Sequence, residues 1–505
     1  MKDKDHIVDA DTKRESDEVI VPEKHSNKGA PAPAEKVEGR ASVERNALEK
    51  ALALIQSSPA RLYGLKSVRN KAMQDKKCVF TNLLHHLTPR LLHESFYKLK
   101  REAASGIDGE TWYSYESKIE CRIEELHSEI HRGSYRAKPV LRCYINKEDG
   151  SKRPLGITCV EDKIVQQAVC TILESIYEVD FLGFSYGFRP NRNQHLALDA
   201  LSTAIRQHKI SWVLDADLQK FFDTIEHETL MMFLRHRIGD KRVLRLISKW
   251  LKTGYSEEGK IYRQTIGTPQ GAVISPLLAN IYLHYTLDLW VDNERKKRPN
   301  GEVILVRYAD DFVMGFQYKE EGERYLEALQ ERLKKFGLKL HPVKTRLIEF
   351  GRFAEANSKR RDGIKPETFN FLGFTHICGK TAKGYFTIKR FTMAKRFRAK
   401  VNEIYQTLKA RRHEPIEKTA KWLASVVTGF TNYYGVPGNY RNIASFKWLN
   451  IRNWKKTLAT RSQKGKKYKW DKFKKIIAHY IPEPKICHPY PEVRFALTRN
   501  KSRMR

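Results

Sequence analysis

The sequence holds 505 residues, of which 94 are Lys or Arg and 59 are Asp or Glu, a formal net charge of +35. That length exceeds what a single hydrophobic core organises, so about two or three globular parts are expected. An excess of positive charge on this scale points to a polyanionic partner, nucleic acid first among them, and the lack of any apolar run long enough to cross a bilayer excludes a helical membrane protein. The seven cysteines, Cys78, Cys121, Cys143, Cys159, Cys170, Cys378 and Cys487, are scattered without a C-x-x-C pair. This spacing argues for reduced thiols in a cytosolic protein and against a zinc module. The N-terminus has no basic-then-apolar signal pattern, and its acidic residues argue against a transit peptide, so a cytoplasmic location is expected.

Residues 1 to about 40 mix charges with Gly29, Pro31, Pro33 and Gly39 and show no apolar period, as a disordered tail does. Met1–Lys50 holds 10 basic and 12 acidic residues, so the tail is not where nucleic acid would anchor. Ser42 is placed to cap a short helix through Leu48, Leu52 and Ile55 that stops before Pro59. From Phe80 to about Glu102 the positions Leu83, Leu84, Leu87, Leu91, Leu92, Phe96 and Leu99 predict two amphipathic helices split near Pro89. Ala104–Gly109 is a glycine-bearing turn suited to close approach of another group, a phosphate or a packed helix.

Tyr144-Ile145 and Arg153–Ile157 predict a hairpin with a basic tip. Two readings stay open here: an ordinary exposed turn, or a flap whose Lys147 and Arg153 grip a triphosphate. An apolar helix follows through Ile164, Val165, Ala168, Val169, Ile172 and Leu173, then an aromatic loop, Phe184–Pro190, with Arg189 in it. The strand Trp212–Leu218 carries Asp215 and Asp217, which point to the same face because side-chain direction repeats every two residues. Spacing alone does not choose between them. Asp223-Thr224-Ile225-Glu226 has the spacing of a capping box, which assigns Asp223 to structure. Gly267–Gly271 is a constrained loop whose Gln270 is able to bond a base or sugar edge, and it precedes a buried helix through Leu277, Leu278 and Ile281.

Val303–Val306 enters, and Phe312–Phe316 leaves, the pair Asp310-Asp311, so the stretch predicts a hairpin with carboxylates at its tip. A solvated turn would use Asp in the same way. Two acidic strand ends that converge need a cation between them, and hard oxygen ligands of this kind suit Mg²⁺. Two such ions roughly 4 Å apart are a common device for in-line phosphoryl displacement. Further on, Tyr325–Phe336 is another amphipathic helix, ended by Gly337.

Five blocks thus stand in order: Arg153–Ile157, Asp215–Phe222, Thr268–Gly271, Tyr308–Asp311 and Leu338–Thr345. Together they resemble the reverse transcriptase domain, and in particular the proteins encoded by bacterial group II introns. Phe369–Phe374 resembles that family's last polymerase block, which holds a primer end, and Ala104–Gly109 its N-terminal extension. The resemblance runs from about Leu62 to about Tyr434. It implies an α+β chain with a right-hand polymerase fold, fingers and palm with antiparallel sheet over 59–375, and an α-helical thumb or maturase region over 376–450. To either side it leaves a tail with a short helix over 1–58 and a basic nucleic-acid-binding region over 451–505.

The resemblance also implies roles. Asp217, Asp310 and Asp311 become the catalytic aspartates, and with Leu218 the ligands of two Mg²⁺ ions, for which Mn²⁺ can substitute. Asp217 is favoured over Asp215 because the family's first aspartate lies five residues before an aromatic that guards the sugar, here Phe222. Lys147, Arg153, Phe222, Gln270 and Lys344 fall at nucleotide-binding positions, Lys147 as the looser match. The implied partners are an RNA template, a DNA primer, dNTPs and a structured intron RNA, in a bacterial cytoplasm. The longest family members end in a His/Asn nuclease module with paired cysteines; only Cys487 follows Tyr434, so DNA cleavage by this chain is not expected. Two alternatives stay open: an RNA-binding splicing factor that needs no polymerisation, or a domesticated relative in phage defence, CRISPR adaptation or DNA repair.

Lys389–Arg505 holds 30 basic against 6 acidic residues, +24 of the total +35, with aromatics interleaved. Trp422, Val426, Phe430 and Tyr433 have helical spacing and predict a core seam. Lys455, Lys456, Lys464, Lys466, Lys467 and Lys469 form a cationic run around Gly465, expected to meet nucleic-acid backbone rather than merely to solubilise a tail.

Overall fold

A computed structural model describes residues 59–146, 152–297, 301–361, 363, 365–462 and 469–494. The expected short helix before Pro59, Lys147 at the hairpin tip, and Lys464, Lys466 and Lys467 lie outside the described residues.

The first part is helical: α1 (Pro59–Gln74), α2 (Pro89–Tyr97), α3 (Trp112–Glu116) and α4 (Ile119–Arg132). Thr88 caps α2 and Pro89 opens it, as a fixed φ favours at a first turn. Only one of the two helices expected over 80–102 forms. Leu84–His86 is a single 3₁₀ turn, held from a distance by Asp240, whose carboxylate accepts the N–H groups of Leu83 and Leu84 at 2.8 and 2.9 Å. Next come the hairpin β1 (Val140–Asn146) and β2 (Lys152–Ile157), then the long helix α5 (Val160–Asp180) and α6 (Gln194–Gln207). They are followed by β3 (Trp212–Asp217), α7 (Phe221–Thr224), α8 (His227–Arg235), α9 (Lys241–Lys252), β4 (Tyr255–Glu257) and β5 (Lys260–Tyr262). Helix α10 (Ser275–Leu283) runs through a π-type turn at His284–Asp288 into α11 (Leu289–Lys297).

The carboxylate hairpin is β6 (Val303–Tyr308) and β7 (Asp311–Phe316); α12 (Lys319–Lys334), β8 (Arg346–Glu349) and α13 (Ala354–Arg361) follow. A three-stranded sheet comprises β9 (Phe369–Phe371), β10 (Phe374–Lys380) and β11 (Phe386–Thr392). The chain then turns helical: α14 (Ala394–Ala410), α15 (Ile416–Tyr434), α16 (Tyr440–Ala459) and α17 (Trp470–Tyr480). Mixed helix and sheet in largely separate runs make this an α+β fold.

The central sheet has the order β6-β7-β3-β8, with antiparallel neighbours throughout. Both of its faces are covered, so its strands are apolar on both sides, and the pleat sorts residues into two cores. Leu214, Ala216, Leu305, Phe312 and Met314 face one core with α5, α10 and α12. Val213, Ile304, Val306 and Val313 face the other, with α6 and the β9–β11 sheet. A third core joins α14, α15, α16 and α17. Its seam on α15 runs through Ala420, Leu423, Val427 and Phe430, with Trp422, Val426 and Tyr433 half-buried beside it, a rotation from the seam the spacing predicted.

Residue 450 is no boundary in this fold. Asn450 lies inside α16, and Trp454, Phe473 and Ile481 beyond it belong to the same core as Leu423 and Phe446. The break at 375 likewise falls within β10.

Candidate active site

Strands β3 and β7 put two carboxylates side by side. Their register pairs Asp217 with Asp311, Ala216 with Phe312 and Asp215 with Val313. Asp310 sits in the two-residue turn between β6 and β7, where Ala309 takes a left-handed φ of 58°. Asp215, two residues back on the face it shares with Asp217, is paired with Arg346 of β8, whose Nη2 lies 4.0 Å from its Oδ2.

The tip is fixed from behind. Arg307 is wholly buried and forks onto Asp288, Nε to Oδ1 at 2.7 Å and Nη2 to Oδ2 at 2.5 Å. Its remaining donors reach the Asn280 side chain and the Ala309 carbonyl, each at 3.0 Å, and Ser185 Oγ at 2.7 Å. Segment 184–186 runs along β6, Tyr186 N–H donating to the Arg307 carbonyl at 2.8 Å and Arg307 N–H to that of Phe184 at 2.9 Å. Gly187 then passes so close to the turn that a Cβ there would stand 2.3 Å from Ala309 N. Only glycine admits that approach.

Lys344 Nζ lies 2.5 Å from Asp217 Oδ2. Burial, and next the charges of Asp215, Asp217 and Asp310, push Asp311 well above the ordinary carboxylate range. Burial also raises Asp310, against the pull of Arg153 and Lys344. Asp215 is pushed up to about 6, again by burial, with Asp217 adding repulsion and Arg346 opposing it. The carboxylates therefore repel one another at one end of the sheet, with one ammonium directly in contact.

Beside them lies a polar chain. Arg153 Nε donates to Gln270 Oε1 at 2.7 Å, and Gln270 Nε2 donates to Asp223 Oδ1 at 3.1 Å. The Gln270 carbonyl accepts Gly156 N–H at 2.6 Å, which ties its loop to β2. At the other end of that loop Thr268 N–H donates to the Phe222 carbonyl at 2.8 Å. Phe222 is half-buried, its ring against Phe221.

The family profile described as "Reverse transcriptase (RNA-dependent DNA polymerase)" matches residues 145–376. Residues 145–376 are thus similar to a reverse transcriptase domain. Among curated relatives, Protein YkfC of Escherichia coli K12 is 35% identical over 237 residues, 41% of this chain and 62% of that protein. The group II intron-encoded protein LtrA of Lactococcus lactis is 36% identical over 253 residues, 49% of this chain and 41% of LtrA. A 91 kDa protein in the cob intron of Schizosaccharomyces pombe is 31% identical over 239 residues, 46% of this chain and 29% of that protein. The likeness to group II intron proteins read from the ordered blocks is thereby borne out. The chain spans less than two thirds of the length of each of these relatives.

Within the stretch that matches that profile the structure brings together Asp217, Asp310, Asp311, Arg153, Phe222, Gln270 and Lys344. Leu218 follows Asp217 directly, its side chain buried and its backbone bridged to Leu340. Lys455, Lys456 and Lys469 belong to the separate helical core region: Lys455 Nζ sits 4.2 Å from the Trp470 ring centroid, Lys456 is exposed, and Lys469 precedes α17. Asp223 needs correction. It lies within α7 and accepts from Gln270, while α8 starts at His227 with no side-chain cap.

Sequence reasoning missed Asp288, Asn280, Ser185 and Gly187. One signal was available: Arg307 interrupts an apolar strand and Asp288 an apolar helical run, and buried charges are paired. Among the described residues no three His, Cys, Asp or Glu side chains are grouped closely enough to enclose an ion as they stand, and Lys344 contacts an oxygen of Asp217. The donor set is nonetheless all oxygen, crowded with like charge and partly desolvated, which fits the divalent cations this family uses.

Proposed function

We propose that the chain is an RNA-directed DNA polymerase of group II intron type with a right-hand fold. The β6-β7-β3-β8 sheet is its palm, the β1–β2 hairpin with the helices before it its fingers, and α14 to α17 its thumb and maturase region. The observation that carries this reading is the pairing of Asp217 with Asp311 across β3 and β7, with Asp310 in the adjoining turn. Asp217, Asp310 and Asp311, with the Leu218 carbonyl, would hold two Mg²⁺ ions, or Mn²⁺ in their place. Bound there, such ions lower the pKa of a primer 3′-hydroxyl and neutralise charge on the leaving pyrophosphate.

The chain's own residues do the positioning. Arg153, on the strand leaving the hairpin tip, presents a guanidinium for bidentate contact with a triphosphate. Gln270, held between Arg153 and Asp223, is oriented toward the incoming nucleotide, and the Phe222 ring stacks under its sugar. Lys344 neutralises Asp217 until substrate and metal arrive. Asp310→Asn and Asp311→Asn are each expected to abolish dNTP incorporation on an RNA template while leaving the melting temperature at or above that of the parent. Extension by either variant at the parent's rate would sink the assignment.

Splicing assistance to a structured intron RNA is a second, compatible activity, supported by the 30 basic residues against 6 acidic ones in Lys389–Arg505. Exposed Tyr440 and Trp448 on α16 would add stacking surface. Assistance that survives Asp310→Asn would separate the two activities.

A further inference from the structure

Where the C-terminal end of α4 meets α9, the fold leaves a cavity of about 110 Å³. Leu84 and Leu246 give it an apolar floor, and Arg132, Arg242, Arg245 and Lys249 line its polar side. None of these residues belongs to the carboxylate site, and no acidic side chain is among the lining residues. Arg242, Arg245 and Lys249 are spaced three and four apart on α9, so they share one face of the helix.

Internal bonding accounts for only part of this charge. Lys249 Nζ donates to the carbonyls of Tyr135 and Gly133, at 2.5 and 3.4 Å, and so caps the end of α4. Asp240 lies 3.7 Å from Arg242, but its carboxylate already accepts the main-chain N–H groups of Leu83, Leu84, Arg242 and Val243. Among the described residues, Arg132 donates to the Ser128 carbonyl of its own helix, at 3.4 Å. Arg245 makes no ion pair among the described residues, and Arg132, Arg242 and Arg245 are all exposed at the mouth.

Guanidinium groups gathered around a void repel one another unless an anion joins them. A space of this size has room for a tetrahedral oxyanion. Arg136 and Lys241, next in sequence to the lining residues Tyr135 and Arg242, are exposed too, as is Lys252, so further positive charge follows the lining in sequence, as suits a polymer with more than one phosphate.

We propose that the cavity between α4 and α9 is a phosphate site that seats one phosphodiester of a bound nucleic acid, giving the chain a second grip apart from its carboxylates. This rests on the nucleic-acid reading above and adds a site to it. The test compares the full chain with Arg242→Gln/Arg245→Gln and with the charge-keeping Arg242→Lys/Arg245→Lys. Each is titrated by filter binding against a long RNA duplex and a DNA duplex of the same sequence, over a series of salt concentrations. The Gln variant is expected to bind about tenfold more weakly, with a salt slope shallower by about 0.9 per lost contact on DNA, and the Lys variant to recover that slope. Loss on both duplexes, or on RNA alone, supports the site and says which backbone it takes. Unchanged affinity and slope on both overturn it, as does a fall in melting temperature shared by both variants with the slope intact. If the unaltered chain binds neither duplex, the nucleic-acid reading fails with it, which the comparison with the parent makes visible.

Discussion

Arg307 and Asp288 form a two-bond ion pair with no solvent exposure on either side chain, and the same guanidinium holds the Ala309 carbonyl beside Asp310 in the β6–β7 turn. Their charges belong together: removing one partner strands the other in the core at a cost of roughly 3 to 5 kcal/mol. Asp288→Asn is therefore expected to lower the denaturant midpoint sharply. Arg307→Lys keeps the charge but loses the fork. It is expected to cost less stability and proportionally more of the primer-extension rate, measured at a temperature where both proteins are folded.

Gly187→Ala should act on the same turn from the other side. The new Cβ would meet Ala309 N at 2.3 Å, so the loop or the hairpin tip must move. Extension is expected to fall by at least about tenfold, since small misplacements of reacting groups are costly, while circular dichroism at moderate temperature stays that of the parent. A fully active Gly187→Ala protein would show that the tip tolerates displacement.

Phe222→Val is expected to admit ribonucleotides by opening room for a 2′-hydroxyl. The readout is the ratio of dNTP to rNTP use on folded protein. Because Phe222 is only half-buried, its loss should cost less than the roughly 3 to 5 kcal/mol of a fully buried aromatic. An unchanged ratio would make the ring a packing element only.

Acid should destabilise the protein in part through His376. Its ring is fully buried, stacked on Phe369 with centroids 4.7 Å apart, and burial, with Arg390 adding to it, depresses its pKa to about 3. An unfolded histidine titrates near 6.5, so between those values the unfolded state holds the extra proton. The stability tied to the neutral ring is complete above about pH 6.5 and is lost as pH falls toward 3. From pH 6.5 to 5 the loss is roughly 2 kcal/mol. His376→Phe should remove that part of the slope in denaturant midpoints collected across the range. A slope equal to the parent's would assign the acid sensitivity elsewhere, for example to His284, held at about 3 by burial.

A chain ending at Asn450 should lose more than binding surface. The cut falls inside α16 and removes Trp454, Leu458, Phe473 and Ile481 from the third core. Loss of far-UV helix signal and rapid proteolysis within α14 and α15 are expected. Protease resistance there equal to that of the full chain would mean that the remaining helices pack without them.

The site's strands were legible because apolar alternation and turn chemistry act locally: β3, the β6–β7 hairpin and the β1–β2 hairpin all follow from their own residues. Remote partners were not. Arg307 and Asp288 each interrupt an apolar run, but the residues around Arg307 do not single out Asp288, which a π-type turn delivers from a separate helical segment. Asp223 carried a convincing capping spacing, yet its partner is Gln270, 47 residues on. The density of lysines after residue 450 hid the buried Trp454 and Phe473, since charge is counted by composition and burial by neighbours.

The last described residues return to the first half of the chain. Arg494 Nε lies 3.1 Å from Asp199 of α6, which also takes Arg390; Glu492 meets Arg206; and the His488 ring stacks 3.6 Å from that of His195. Contacts between residues roughly 300 apart are slow to form, because loop closure must be completed before they contribute. On the ribosome, α6 and the face of the sheet it covers would therefore wait, with their final partners missing, until residue 494 had emerged. Synthesis arrested anywhere before Arg494 would leave α6 without this clasp, a product recognisable by protease cuts near Asp199.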